Sequence, residues 1–277
     1  MTNSTLNLTA LAIRKSILRS LYYAQSGHLG GSLGLADIFT ALYFNLLKHD
    51  AKYPKWEERD RLILSIGHVV PVLYASLAQA GYFPPEELKT LRKLGSRLQG
   101  HPSIEPQLPG VELAAGSLGQ GLSVSVGLAL SAKLDNKTFT TYCILGDGEL
   151  QEGSVWEAAM SASHHQLNNL IAIIDRNNVQ IDGKTEDVMS LEPLSQKWEA
   201  FGWQVLDCDG NNISEFIKTV NQAKKSTKKP SVIIAKTKMG KGIPEIENNY
   251  RWHGKAPNKE ELERFGSTLK VVEKVKN

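Results

Sequence analysis

The segment ILGDGELQEGSVWEAAMSASHHQLNNLIAIIDRNN, Ile144–Asn178, decides the fold. It lies between and across two short apolar runs, TTYCILG (140–146) and LIAIID (170–175), with SVWEAAMSASHHQ (154–166) between them at helical apolar spacing. Runs this short and this uniformly apolar read as strands buried on both faces, and the intervening helix makes the stretch a βαβ unit. A right-handed crossover brings both strand ends to the same edge of the sheet, on neighbouring or near-neighbouring strands. One end carries Asp147 between Gly146 and Gly148; the other, about thirty positions on, carries the pair Asn177-Asn178.

Outward from this unit the alternation continues. RLILS (61–65), WQVLDCDG (203–210) and SVIIAKT (231–237) read as further buried strands of about five residues. VPVLYASLAQAG (70–81), LGQGLSVSVGLALSAKL (118–134) and ISEFIKTVNQAKK (213–225) read as helices. Near the N-terminus Leu8, Leu11, Ile17, Leu18 and Leu21 fall near helical spacing. A glycine-rich turn, SGHLGGSLG (26–34), and a second helix, LADIFTALYFNLL (35–47), follow. The predicted fold is α/β, a doubly wound, mainly parallel sheet with helices on both faces. No internal repeat or dividing linker is present, so residues 1–277 read as one domain, with 258–277 a polar, helical extension.

The bulk properties exclude several function classes. Of 277 residues 41% are hydrophobic and 22% charged, ample for a globular core, and the net charge of +3 is too small to point to nucleic acid or a membrane surface. No segment reaches membrane-spanning length, and the N-terminus lacks the apolar region of a signal peptide. The two cysteines, Cys143 and Cys208, sit inside predicted strands without metal-ligand spacing, as small core residues in a reducing compartment would. A cytoplasmic location is expected, and the sequons at Asn3, Asn7 and Asn212 carry no weight there.

In a doubly wound sheet ligands bind beyond the carboxyl ends of the strands. Gly146 and Gly148 allow a sharp turn and a close backbone approach. The Asp147 carboxylate, the Asn177 amide oxygen and a nearby carbonyl such as that of Val179 form a hard oxygen set. Such a set suits Mg²⁺ or Ca²⁺, and Mg²⁺ commonly completes its octahedron with water and phosphate. The plainer alternative is a Gly-Asp-Gly turn followed by a capping loop. Strand context, spacing and the asparagine pair together favour a cation bridging protein to a diphosphate.

GDGELQEGSVWEAAMSASHHQLNNLIAIIDRNN resembles the thiamine diphosphate signature, and GDGELQEG with IDRNNVQIDG is similar to transketolase in particular. The resemblance implies that Asp147, Asn177 and the Val179 carbonyl hold the cation and that Gly148 meets the phosphate. Gly146, Glu149 and Leu118 fall among the cofactor contacts. Glu152 matches a glutamate at the dimer interface beside the cofactor, although a carboxylate stabilised by a helix N-terminus would also fit there. In AAGSLGQG, Gly116 resembles a cofactor-contacting glycine, and the helix after it could aim backbone donors at the pocket.

Seven histidines occur, and four lie in glycine-flanked turns: SGHLGG, SIGHVVP, LQGHPS and YRWHGKAP. Glycine flanks remove side chains and let a ligand approach. These four match transketolase motifs one by one. The match implies that His68 binds the diphosphate while His28, His101 and His253 face the reacting centre and the sugar hydroxyls, His253 also touching the cofactor. Ketol transfer moves protons on and off oxygens near neutral pH, where imidazole works. His49, His164 and His165 lie in polar or helical segments and are expected to be non-catalytic.

Leu29, Ser32 and Ser117 stand where the family usually has proline, which touches no expected ligand but leaves loop order and substrate fit open. The resemblance runs from about Ala10 to Pro257 and covers only the diphosphate-binding domain. The family's pyrimidine-binding domain, with the cofactor-activating glutamate and most substrate-phosphate contacts, and its C-terminal domain are not in this chain. The implied protein is the N-terminal subunit of a split transketolase of pentose phosphate type. It would pair with a separate C-terminal subunit as an α₂β₂ assembly acting on sugar phosphates. A matching subunit of a deoxyxylulose phosphate synthase or α-ketoacid dehydrogenase, and a non-catalytic diphosphate-binding regulatory subunit, are the alternatives. The four-histidine set argues against the dehydrogenase, and His28, His101 and His253, which pure binding would not require, argue against the regulatory reading.

Overall fold

The computed structural model describes residues 1–105 and 107–274. The chain opens with helices α1 (Asn3–Ala24), α2 (Leu29–Gly34) and α3 (Ala36–Ala41), then strand β1 (Arg61–Leu64) and helix α4 (Val70–Gln79). Helix α5 (Gln120–Leu134), strand β2 (Thr141–Gly146), helix α6 (Gly153–His164) and strand β3 (Leu170–Arg176) follow. A small hairpin, β4 (Val179–Gln180) with β5 (Gly183–Lys184), leads to helices α7 (Thr185–Val188) and α8 (Leu194–Ala200). Strand β6 (Gln204–Asp209), helix α9 (Ile213–Ala223), strand β7 (Ser231–Lys236) and helix α10 (Lys259–Lys274) complete it.

All five apolar runs are strands of one parallel sheet in the order β1-β2-β3-β7-β6. Alternation along each strand divides the core into two layers. Tyr142, Ile144, Ile171, Ile173 and Ile233 face α1, α3, α4 and α9, whereas Cys143, Leu145, Ala172, Ile174 and Val232 face α5, α6 and α8. The expected α/β architecture, with helices on both faces, is what forms. Cys143 and Cys208 are buried and unpaired, as core cysteines. Strand order reverses between β3 and β7, the position where such sheets open a crevice. Among the described residues no helix is long and apolar enough to cross a membrane.

Two elements differ from expectation. The glycine-rich stretch after α1 is not a turn throughout, because α2 begins at Leu29. Two of its glycines serve contact: a Cβ at Gly34 would lie 2.9 Å from the Lys238 carbonyl, and one at Gly30 2.9 Å from that of Trp252. Close backbone approach, rather than a left-handed φ, is what requires glycine there. The C-terminal stretch is helical as expected but not merely polar. Phe265 and Leu269 are buried, and α10 packs against α1. Residues 275–277 of the expected extension lie outside the described residues.

Candidate functional site

The carboxyl ends of β1, β2, β3 and β7 open on a cleft of about 300 Å³. The segment after β1 contributes Ile66 and His68, the end of β2 contributes Gly146, and the segment after it contributes Asp147, Gly148 and Glu149. Asp175, Asn177 and Val179 come from β3 and the hairpin; Met239 follows β7, and Leu118, Glu152 and His253 close the wall. A larger surface depression, formed by Asp50 and Lys52 to Trp56, belongs to the loop before β1 and gathers no comparable set of polar groups.

Adjacent strands β2 and β3 bring Asp147 and Asn177 together, as the βαβ reading expects. Asp147 is 2% exposed, and each of its oxygens is engaged. Oδ1 accepts from the Gly148 N–H at 2.8 Å, and Oδ2 accepts from the Asn178 N–H at 2.7 Å and from Arg176 Nη1 at 3.2 Å. Asn178 reaches this position with φ 62, a left-handed conformation that asparagine tolerates. Burial pushes the Asp147 carboxyl up, and the Arg176 guanidinium and the two N–H groups counter it.

The Asn177 amide is oriented from both ends. Its Nδ2 donates to Asp175 Oδ2 at 2.9 Å, and its Oδ1 accepts from the Val179 N–H at 2.9 Å. Asp175 accepts in turn from the Thr237 hydroxyl. Burial raises the Asp175 carboxyl to about 7, against the pull of those two donors. The glycines beside Asp147 do not serve a sharp turn, since neither has a left-handed φ. A Cβ at Gly146 would lie 2.7 Å from Ile66 Cγ2, so that glycine serves packing.

Glu149 is buried and fully used inside the protein. Its Oε1 accepts from the Gly119 N–H at 2.8 Å and from the Ser65 hydroxyl, and its Oε2 accepts from the Gly146 N–H at 3.0 Å. Ser65 Oγ also accepts from the Gly121 N–H at 3.1 Å. Two amides at the start of α5 are thus consumed by Glu149 and Ser65 rather than aimed at the pocket, which corrects the expectation for that helix. Gly116 is exposed, does not line the cleft and has no neighbour within reach of a built Cβ. Glu152 stands exposed at the N-cap of α6 and makes no capping hydrogen bond.

Three of the four singled-out histidines meet. Ring centroids of His28 and His68 lie 4.7 Å apart, His68 and His253 5.1 Å, and His28 and His253 5.4 Å. Burial, then neighbouring positive potential led by His253, lowers His28 to about 4; burial, then His28, lowers His68 to about 3. His253 is lowered by burial, and His101 by burial and then Arg92. At neutral pH the trio is therefore uncharged, each ring able to donate at one nitrogen and accept at the other. His28 Nδ1 is buried without a protein partner, as a nitrogen reserved for a ligand would be. His101 lies outside the trio, exposed in a shallow pocket with Ser26, Arg92 and Gln99. The glycine flanks also proved less about ligands than expected, for a Cβ at Gly67 would lie 2.3 Å from the Ala115 carbonyl.

Sequence reasoning missed Arg176, Asp175, Thr237, Met239 and Ser65. Arg176 carried a signal, being a cation set between a strand-end acid and the asparagine pair. The others are ordinary residues of apolar or mixed runs whose roles come from neighbours distant in sequence. At the missing-proline positions the Ser32 hydroxyl donates to the His28 carbonyl at 2.7 Å, and the Leu29 N–H donates to that of Lys255 at 3.4 Å.

A doubly wound sheet whose switch-point cleft joins a strand-end acid, an oriented amide and neutral histidines defines the thiamine diphosphate-binding class. Residues 6–271 match the family model for the transketolase, thiamine diphosphate binding domain. An apulose-4-phosphate transketolase subunit from Phocaeicola vulgatus is 44% identical over 259 residues, 94% of this chain and 92% of that protein. The 6-deoxy-6-sulfo-D-fructose transketolase subunit SqwG of a Clostridium species is 47% identical over 244 residues, 88% of each chain. The crystal structure of transketolase from Campylobacter jejuni superposes with a TM-score of 0.92 at 39% identity, over 98% of this chain and 43% of that one. The chain belongs to the transketolase family and is its N-terminal, thiamine diphosphate-binding part. It spans about two fifths of the length of that full-length transketolase.

Proposed function

We propose that this chain is one of two subunits of a transketolase, moving a two-carbon ketol unit from a ketose to an aldose. The carrying observation is the cleft itself, where Asp147, Asn177, His68 and His253 converge at the switch point, with His28 packed against both histidines. A deoxyxylulose phosphate synthase-like or regulatory reading lacks comparable support, because the two relatives that match nearly end to end are both named transketolase subunits.

The residues fit the expected groups. Asp147, Asn177 and the backbone at Val179 offer only oxygen, the donor type that Mg²⁺ or Ca²⁺ takes. Among the described residues no three His, Cys, Asp or Glu side chains are arranged to hold a metal, so a cation here takes its remaining ligands from backbone, water and diphosphate. Gly148 offers backbone unshielded by a side chain, and His68 lines the same cleft for the diphosphate. Bound there, thiamine diphosphate supplies the nucleophilic carbon that accepts and hands on the two-carbon unit. His28 and His253, neutral and adjacent, exchange protons with substrate oxygens, while His101, in its own shallow pocket, and exposed Gly116 lie outside the cleft lining. Leu118 packs against the cofactor, and Glu152 at the cleft mouth meets the second subunit.

The relatives covering the same length are named subunits, which supports a separate partner carrying the rest of the enzyme. We assign that partner the pyrimidine-binding and C-terminal domains and the assembly a symmetric α₂β₂ form. The relatives are named for sugars bearing a phosphate or a sulfonate, and on that support we assign the donor to anionic ketoses rather than only those of the pentose phosphate type. Calorimetry with thiamine diphosphate and Mg²⁺ tests the site. Binding should require the cation and disappear in Asp147→Ala; an affinity unchanged by that substitution and by chelator would overturn the assignment.

A further inference from the structure

We infer that Arg176 is a specificity-determining residue for the cation, restricting Asp147 to one coordinating oxygen and so favouring Mg²⁺ over Ca²⁺. The inference rests on the cation site proposed above. A carboxylate offers about four lone-pair positions, two on each oxygen. Asp147 Oδ2 has both engaged, by the Asn178 N–H at 2.7 Å and by Arg176 Nη1 at 3.2 Å. Oδ1 accepts from the Gly148 N–H alone, leaving one direction open. A cation approaching Asp147 therefore meets a single available lone pair.

Arg176 is itself fixed. Its side chain is 6% exposed, and Nη2 donates to Glu186 Oε1 at 2.6 Å and to Glu192 Oε1 at 2.9 Å. Glu186 is held further by the Leu191 N–H at 3.2 Å, and Glu192 Oε2 accepts from the Leu194 N–H at 2.8 Å. The two carboxylates balance the guanidinium charge and aim its other arm at Asp147. A planar fork of this kind holds several acceptors at once, which a lysine point charge does not. Rotation of the Asp147 carboxylate to present both oxygens would break the Arg176 and Asn178 hydrogen bonds.

The consequence is chemical selectivity. Ca²⁺ accepts bidentate carboxylates and six to eight oxygens, whereas Mg²⁺ demands an octahedron of single oxygens at short distance. A carboxylate locked to one oxygen removes a ligand that Ca²⁺ can use and Mg²⁺ cannot. The effect depends on Arg176, not on Asp147 or Asn177 alone.

The test is calorimetric binding of thiamine diphosphate to the assembled two-subunit enzyme, titrated separately with Mg²⁺ and with Ca²⁺. In Arg176→Leu the ratio of the two half-saturating concentrations should move toward Ca²⁺ by about tenfold, as ligand count and rigidity tune such sites. Arg176→Lys, which keeps the charge but loses the fork, should move it in the same direction by less. Glu186→Gln with Glu192→Gln, which removes the charges that aim the guanidinium, should move the ratio in the same direction by less than Arg176→Leu; an unmoved ratio would count against the fixed fork on which the inference stands. Equal weakening of both cations in the two Arg176 variants would mean a merely structural role and overturn the inference. Cofactor binding by the wild-type enzyme without any divalent cation would instead defeat the cation site on which it stands.

Discussion

His28 and His68 are neutral at pH 7 because burial disfavours the imidazolium, lowering them to about 4 and about 3. In the unfolded chain both have ordinary values near 6.5, so between about pH 3 and 6.5 the unfolded state binds more protons than the folded one. Stability from these groups is complete above that window and falls as pH drops through it. His28→Asn and His68→Asn should flatten the decline of chemical-denaturation free energy between pH 7 and 4; slopes equal to wild type would contradict the assignment. Function separates the same residues. His68→Ala is expected mainly to weaken cofactor binding, whereas His28→Ala and His253→Ala should slow turnover by about a hundredfold to ten-thousandfold. His101→Ala should act mainly on the donor KM, given its exposed position. Turnover within about twofold of wild type in all four would refute the catalytic reading.

At the scale of elements, the loops around the cleft are tied by one buried acid. Glu149 links the segment after β1, the start of α5 and the end of β2 through Ser65, Gly119 and Gly146. Glu149→Ala strands two N–H groups, each at a cost of about 1–3 kcal/mol. Thermal unfolding should show a clear loss of stability, and an unchanged midpoint would show that water replaces the carboxylate. This tie was not legible in the sequence, where Glu149 fell among the cofactor contacts by position in the motif. The strands and helices were legible because their apolar periods are local properties, and the Asp147–Asn177 pairing was legible because a crossover fixes which strand ends are neighbours. Arg176 joining Asp147 to Glu186 and Glu192, and Asp175 joining Asn177 to Thr237, depend on which loops fold over which. No local pattern encodes that. Glycine misled for the same reason: it marks close approach without saying whether a ligand or the protein's own backbone does the approaching, as at Gly67 and Gly34.

At the scale of the whole molecule, the chain matches relatives of its own length over about nine tenths of both sequences, yet spans about two fifths of a full-length transketolase. The cleft assembles groups suited to a cation, a diphosphate and proton exchange. Its three buried acids, Asp147, Glu149 and Asp175, are each engaged in internal hydrogen bonds. Glu152, at the N-cap of α6, lines the cleft and is exposed. The central claim is therefore that activity belongs to the pair and not to this chain. Its most direct measurement is ketol transfer between an anionic ketose and an aldose, with thiamine diphosphate and Mg²⁺, by the chain alone and then titrated with a pyrimidine-domain partner. No turnover is expected from the chain alone, and activity should saturate near one partner per chain; full turnover by the isolated 277-residue chain would contradict the claim.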